Sequence, residues 1–367
     1  MFSKRILIFS LAYHPVVGGA EIAVKEITDR LSDIEFDMIT MRLEKAQPRV
    51  EKIGNVNVYR VGKSASYIDK ILFVPNSALL ALKLNRKRPY DSFWAMMTNM
   101  LFPITLMRLV GDRTPYVLSL QDGDPFEYVF KRLRIRIFIP LLKYGFRHAV
   151  VIQSISNFLA EWSREMGHKG EVEVVPNGVD VKRFQPTTDD KQPTTNTVLI
   201  TTSRLVEKNA VGDIIDALKF LPESVSLKIL GVGQLESELK LLAKNLPVEF
   251  VGFVPQEKLP EYLHNADIFI RPSLSEGQGI SFIEAMAAGL PVIATPVGGI
   301  VDFLKNGETG LFCEVNNPES IAIQVKRLMD DNILRENIVR NARKMVEEKY
   351  DWDLIAKEMK TRVFDKV

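Results

Sequence analysis

Short apolar runs rich in β-branched and aromatic residues recur at residues 5–10, 36–40, 92–96, 116–120, 149–153 and 171–175, with longer segments of helical period between several of them. A parallel strand covered on both faces reads as a nearly continuous apolar run, so this alternation predicts βαβ units and a parallel sheet between helical layers. The pattern breaks over residues 185–196, a polar stretch with two prolines and no period, which reads as an interdomain linker. It then restarts, with strands expected at 198–202, 226–230, 248–251, 268–270 and 292–294 and helices near 210–220, 235–245, 257–264 and 280–288. From Pro318 the chain is charged and helical, and Tyr350-Asp351-Trp352 interrupts it before a last helix. The expected fold class is therefore α/β with two doubly wound, Rossmann-like domains, residues 1–185 and 197–351, joined by a linker at 186–196. Such domains carry ligands at the carboxyl ends of their strands, which directs attention to the loops that follow strands.

The length fits this division, because 367 residues exceed the ~250 to 300 at which single cores stop growing. With 46% hydrophobic and 26% charged residues the chain is an ordinary globular one, which excludes disorder. The lone Cys313 has no intrachain partner and fits a reducing compartment. The greasiest stretch, residues 71–84, contains Pro75 and Asn76 and falls short of the ~18 to 20 apolar residues of a membrane span. Residues 4–12 begin like a secretory leader. They run into His14-Pro15-Val16-Val17-Gly18-Gly19 without a small-residue cleavage pattern, so a buried first strand and a cytoplasmic protein are expected. A net charge of +2 conceals an asymmetry: residues 1–184 hold 27 basic and 19 acidic residues (+8), and residues 185–367 hold 21 and 27 (−6). Such polarity fits an anionic surface or acceptor at the first half, and equally an accidental scatter of solvated charge.

Three strand-to-helix loops carry candidate chemistry. Gly18 and Gly19, between the first strand and its helix, allow main-chain N–H groups to approach an anion, although they lack the spacing of a dinucleotide fingerprint and also suit a plain tight turn. In Thr202-Ser203-Arg204-Leu205-Val206-Glu207-Lys208-Asn209, Arg204 as a planar fork and Lys208 as a point charge suit a diphosphate. In the segment from Ser273 to Val292, Glu276 and Glu284 are separated by seven residues, with a glycine-flanked turn before a small, apolar helix. Glu284 lies about one turn into that helix, where a carboxylate needs hydroxyl or N–H donors, and a sugar or ribose diol supplies them.

Together with Val175-Pro176-Asn177-Gly178-Val179-Asp180 and Thr295-Pro296-Val297-Gly298-Gly299, and in this order along nearly the whole chain, these segments resemble the family-4 retaining glycosyltransferases of the GT-B fold. The resemblance implies that Gly18 and Gly19 lie beside the donor phosphates, that Arg204 and Lys208 hold the diphosphate, and that Glu284 binds the ribose hydroxyls. It further implies that Glu276 contacts the donor sugar, that Gly279, Ile280 and Ser281 cap the phosphates at a helix start, and that the last helix, 352–367, crosses back onto the first domain. Two departures stand out. Many relatives carry a histidine where this chain has Gln121, which can hydrogen-bond a sugar hydroxyl but cannot titrate. The lysine of the second loop often sits one residue later, where this chain has Asn209.

Asp122-Gly123-Asp124 forms a D-x-D pattern able to hold a hard cation. Because Arg204 and Lys208 can neutralise a leaving diphosphate, no metal and no cofactor are expected, and Asp122 and Asp124 are assigned to the acceptor side or to structure. Residues 131–147 interleave cations with Ile, Leu and Phe, as in a segment lying on an anionic membrane or packing its apolar side on the sheet. The expectation is a metal-independent, retaining transferase moving a sugar from a UDP- or GDP-type donor to a hydroxyl acceptor, a lipid-linked or cell-surface glycan precursor, with no nucleic-acid partner. A nucleotide-sugar 2-epimerase and a non-catalytic nucleotide-sugar binding protein are the alternatives.

Overall fold

The computed structural model describes residues 4–16, 18–185 and 196–367. The chain forms two compact units, Met1–Asn177 with Trp352–Val367, and Gly178–Asp351.

The first unit is built on eight strands: β1 (Lys4–Phe9), β2 (Ile34–Met41), β3 (Val50–Ile53), β4 (Val56–Val61), β5 (Ser92–Met96), β6 (Tyr116–Leu120), β7 (Val151–Ser154) and β8 (Glu171–Val174). Their order is β3-β4-β2-β1-β5-β6-β7-β8, and all pairs are parallel except the β3–β4 hairpin. Every side chain from Ile6 to Phe9 is fully buried, as a central strand between two helical layers requires. Strand order reverses between β1 and β5, which places a switch point where Gly18 and Gly19 follow β1.

The second unit carries β9 (Thr197–Thr202), β10 (Val225–Leu230), β11 (Val248–Gly252), β12 (Ile268–Arg271), β13 (Val292–Ala294) and β14 (Leu311–Phe312), in the order β11-β10-β9-β12-β13-β14 and parallel throughout. Its switch point falls between β9 and β12, whose following loops carry Arg204, Lys208 and Glu276.

Each strand expected from the sequence is present, with ends shifted by at most three residues. The additions are the β3–β4 hairpin and the two-residue β14. The division of the chain needs correction: it falls after Asn177 rather than at 185. Val179, Val181 and Phe184 are buried in the second unit's core with Phe269 and Phe282, and the Val179 N–H donates to the Tyr350 carbonyl at 2.7 Å. Residues 186–195 of the expected linker lie outside the described residues.

The C-terminal segment belongs to the first unit. Phe364 sets its ring 4.9 Å from Trp94 and 6.1 Å from Phe36, and Arg362 donates to Glu173 at 2.7 Å.

Candidate active site

In the second unit the loops after β9 and β12 are tied to each other by Arg271, the last residue of β12. Its guanidinium pairs with the Glu276 carboxylate and donates to Asn209 Oδ1 at 3.0 Å and to Ser281 Oγ at 2.8 Å. Asn209 in turn donates to the Arg204 carbonyl at 2.7 Å, and the Leu274 N–H donates to the Lys208 carbonyl at 2.7 Å. The Gly299 N–H donates to the Glu276 carbonyl at 3.0 Å. Arg204, Lys208, Glu276 and Ser281, spread over some eighty positions of sequence, are thus brought together by one buried network. Arg271 was not singled out by sequence reasoning; its signal is a lone cation closing an otherwise apolar strand just before a proline.

Glu276 is buried and both its oxygens are engaged, Oε2 by Arg271 and Oε1 by the Gly277 N–H at 3.1 Å. A carboxylate offers about four acceptor positions, so this one keeps acceptor capacity while its orientation is fixed. Gly298, at φ +55°, supports it from behind: a Cβ there would sit 2.0 Å from the Glu276 carbonyl oxygen. Arg204 is exposed and Lys208 half-buried, whereas Asn209 is buried within the network. Asn209 therefore fills a structural place in this loop.

Helix Ile280–Ala287 starts at Gly279 (φ +85°), and no side chain caps its first turn. Its free N–H groups and dipole favour an anion there. Glu284 on this helix is buried, and its Oε1 accepts from Gln256 at 3.2 Å. Burial outweighs that bond and the fields of Arg183 and Arg271, and pushes the carboxyl up to about 7. The Thr202 and Ser203 hydroxyls at the end of β9, and the Ser273 hydroxyl after β12, are buried without protein partners. This edge of the sheet therefore holds polar groups that a ligand with hydroxyls and phosphates would satisfy.

In the first unit, Gly18 precedes helix Gly19–Arg30, and no side chain caps that helix. A Cβ on Gly19 would meet nothing within 4 Å, so the chain itself leaves that space open. After β6, Gln121 and Asn177 exchange reciprocal amide hydrogen bonds of 3.0 and 2.8 Å. Asp122 is buried, receives the Thr98 hydroxyl at 3.5 Å through Oδ1, and has no partner at Oδ2. Burial, reinforced by the neighbouring half-buried Asp124, pushes its carboxyl up to about 7. Met97, at the end of β5 beside this loop, adopts φ +69°, a strained value for a residue with a side chain.

Two doubly wound units, each with polar and glycine-bearing loops at its switch point, define an α/β protein whose loops offer donors and acceptors suited to a phosphorylated, hydroxyl-rich ligand. Comparison with known proteins gives its family. Residues 17–183 match the model described as Glycosyltransferase Family 4, and residues 185–345 match the one described as Glycosyl transferases group 1. The chain is 31% identical to a GDP-mannose-dependent monoacylated alpha-(1-6)-phosphatidylinositol monomannoside mannosyltransferase of Corynebacterium glutamicum, over 97% of each chain. It is 24% identical to an N-acetyl-alpha-D-glucosaminyl L-malate synthase of Bacillus anthracis, over 96% of this chain and 95% of that one. Among solved structures it is similar to Thermosynechococcus elongatus sucrose-phosphate synthase (TM-score 0.86, 19% identity, 99% and 98% of the two chains). It is similar also to Anabaena HepE in complex with UDP and glucose (TM-score 0.80, 19% identity, 99% and 100%). The chain belongs to the group 1, family-4-like glycosyltransferases and has the GT-B fold.

Proposed function

We propose that the protein transfers a sugar, with retention at the anomeric carbon and without a metal, from a UDP- or GDP-sugar to a hydroxyl of a lipid-linked or cell-surface glycan precursor. The observation that carries this reading is the Arg271 network, which fixes Glu276 beside the loop of Arg204 and Lys208. In this reading Glu276 accepts hydroxyls of the donor sugar, and Glu284 accepts the ribose diol. Arg204, Lys208 and the N–H groups of Ile280 and Ser281 receive the charge that develops on the departing diphosphate. Rate then comes from preorganised electrostatics, with the diphosphate oxygen taking the acceptor proton. A UDP- or GDP-type donor draws support from the HepE complex and from the GDP-mannose dependence in the name of the Corynebacterium relative, and a lipid-linked acceptor from the latter. Gln121, Asp122 and Asp124 are read as acceptor-side groups, and Gly18 and Gly19 as main-chain neighbours of the donor phosphates.

A thermal-shift screen of UDP-, GDP- and ADP-sugars tests the donor assignment, since a ligand at ~100 times its dissociation constant adds ~2.7 kcal/mol of stability. The expected result is a shift with UDP- or GDP-sugars, followed by turnover that persists in excess EDTA and gives a product of unchanged anomeric configuration. Loss of turnover on chelation, restored by magnesium, would return Asp122 and Asp124 to a metal site.

A further inference from the structure

Helix Tyr67–Lys87 contains the most apolar stretch of the chain. Its inner side, Phe73, Ser77, Ala78 and Ala81, is buried against the first sheet. Its outer side is apolar as well: Ile68, Ile71, Leu72 and Leu79 stand 68%, 56%, 47% and 65% exposed. These positions follow a helical spacing of three, one and seven residues and so form one outward stripe, which Lys83 and Arg86 continue at the same spacing. A helix that is apolar all round is normally covered on all sides, so this one has a face to cover.

The stripe has neighbours of the same kind. Helices Tyr67–Lys87, Leu101–Leu109 and Ile139–His148 sit in the parallel crossovers β4 to β5, β5 to β6 and β6 to β7, which run the same way along the sheet. Right-handed connections therefore put all three on one face, and the middle helix packs against both others. Ile137 and Phe138, just before the third helix, are exposed, and Phe138 meets Phe102 of the middle helix edge-on at 5.7 Å. Helix Tyr67–Lys87 begins six residues after β4 ends, so the exposed apolar groups at 68–72 lie toward the carboxyl edge of the sheet, the edge that bears Asp122, while 137–138 close the segment that runs from β6 to the third helix through two short helical turns.

Charge selects the occupant. Residues 67–88, 97–110 and 131–150, which contribute these helices, hold 12 Lys and Arg and a single acidic residue, Asp69, whose carboxylate is engaged by the Ser64 and Ser66 hydroxyls. Two copies of this face would repel each other. A cleft of about 420 Å³ on the same side sets Lys131, Arg136 and Lys143 around a floor that includes Phe126 and Phe130, with Glu165 at its rim. Lys131 is paired with Glu127 at 3.0 Å, so Arg136 and Lys143 over an aromatic floor are the cations that suit an anionic headgroup.

We propose that this three-helix face docks onto an anionic lipid bilayer, with Ile68, Ile71, Leu72, Ile137 and Phe138 entering the headgroup boundary and the cations holding the phosphates. This relocates the membrane contact expected from residues 131–147 alone onto a broader surface whose apolar share lies chiefly on helix Tyr67–Lys87. No helix among the described residues is long and apolar enough to cross a membrane. The inference extends the lipid-acceptor reading above, and its test does not use turnover, so its failure is distinct from failure of the transferase reading.

The full chain is co-sedimented with vesicles of phosphatidylcholine alone and of phosphatidylcholine with about one-third phosphatidylglycerol, at physiological salt and at about 0.5 M. Two variants accompany it, Ile68→Ser/Ile71→Ser/Leu72→Ser and Lys131→Gln/Arg136→Gln/Lys143→Gln, each first shown to keep the nucleotide-dependent thermal shift. Five of the six positions are exposed and Lys143 is half-buried, so none of the substitutions removes a core side chain. The native chain is expected to bind the anionic vesicles several-fold better than the neutral ones and to lose that preference at high salt. Each variant is expected to bind roughly ten-fold less. Absence of native binding, native-like binding by the triple serine variant, or self-association that this variant abolishes in place of vesicle binding each overturn the proposal.

Discussion

Glu284 shows how far one residue can be read from sequence. A carboxylate one turn into an apolar helix announces a need for donors, and the structure supplies one, Gln256, which leaves the carboxyl raised to about 7. Because the folded pKa lies above the ordinary carboxylate value of 4.5, the folded chain binds more protons than the unfolded one between roughly pH 4.5 and 7. Stability therefore falls as pH rises through that window, the reverse of a salt-bridged carboxylate. Hydroxyls of a ribose diol favour the ionised form, so donor binding must expel this proton at low pH. The affinity of a sugar nucleotide, whose phosphates stay ionised, is expected to rise up to about ten-fold per pH unit below 7 and to level off above it. In Glu284→Gln the affinity is weaker and the pH dependence flat, as isothermal titration at pH 6, 7 and 8 will show. A native profile as flat as the variant's removes the ribose role. Arg271 was not legible in the same way. Nothing in a single sequence tells a strand-ending cation that organises two loops from one that is merely solvated, since its partners are five, ten and sixty-two positions away.

At the scale of elements, strands buried on both faces were legible because their apolar runs carry the signal themselves. The β3–β4 hairpin also left a trace, two alternating runs about Gly54-Asn55, although its outer strand Val50–Ile53 is mostly solvated and reads as loop. Two-residue β14 has too few positions to show any period. The loop 295–299 was legible as a motif only; its physical reason is three-dimensional. Gly298→Ala must both sustain φ +55° and displace the Glu276 backbone, whereas Gly307→Ala, at φ +79°, meets no atom within 4 Å. Both variants are expected to lose about 1–3 kcal/mol of stability from backbone strain. Only Gly298→Ala should also lower kcat, by roughly a hundred-fold, because it shifts a positioned carboxylate. Denaturation curves beside steady-state kinetics separate the two, and a Gly298→Ala enzyme with native kcat would detach Glu276 from the chemistry.

The whole molecule depends on a segment whose place the sequence could not reveal by pattern. A charged terminal helix is compatible with the second unit that precedes it, and only the resemblance to known transferases put it on the first. The physical reason lies in where its apolar side chains go: Trp352, Ile355, Met359, Val363 and Phe364 are all buried, and Phe364 closes an aromatic group with Trp94 and Phe36. Arg362 and Lys366 bind Glu171 and Glu173 of β8, while the Lys4 ammonium donates to the Phe364 and Val367 carbonyls. The most exposed of these ion pairs contribute little, and the apolar burial dominates. Phe364→Ala should therefore cost about 3–5 kcal/mol, a large part of a typical domain's stability. Its neighbours, Trp94 and Phe36, belong to the first unit, whereas Arg204, Lys208, Glu276 and Glu284 belong to the second. Below the lowered melting temperature, the affinity of this variant for a UDP- or GDP-sugar should accordingly stay within about two-fold of native. Tryptophan fluorescence in a denaturant titration reports the first quantity and calorimetric titration the second. A variant as stable as native would mean that the buried Phe364 ring adds nothing measurable to the packing of the first unit, and a lost donor affinity would mean that disturbing this packing reaches the loop of Gly18 and Gly19.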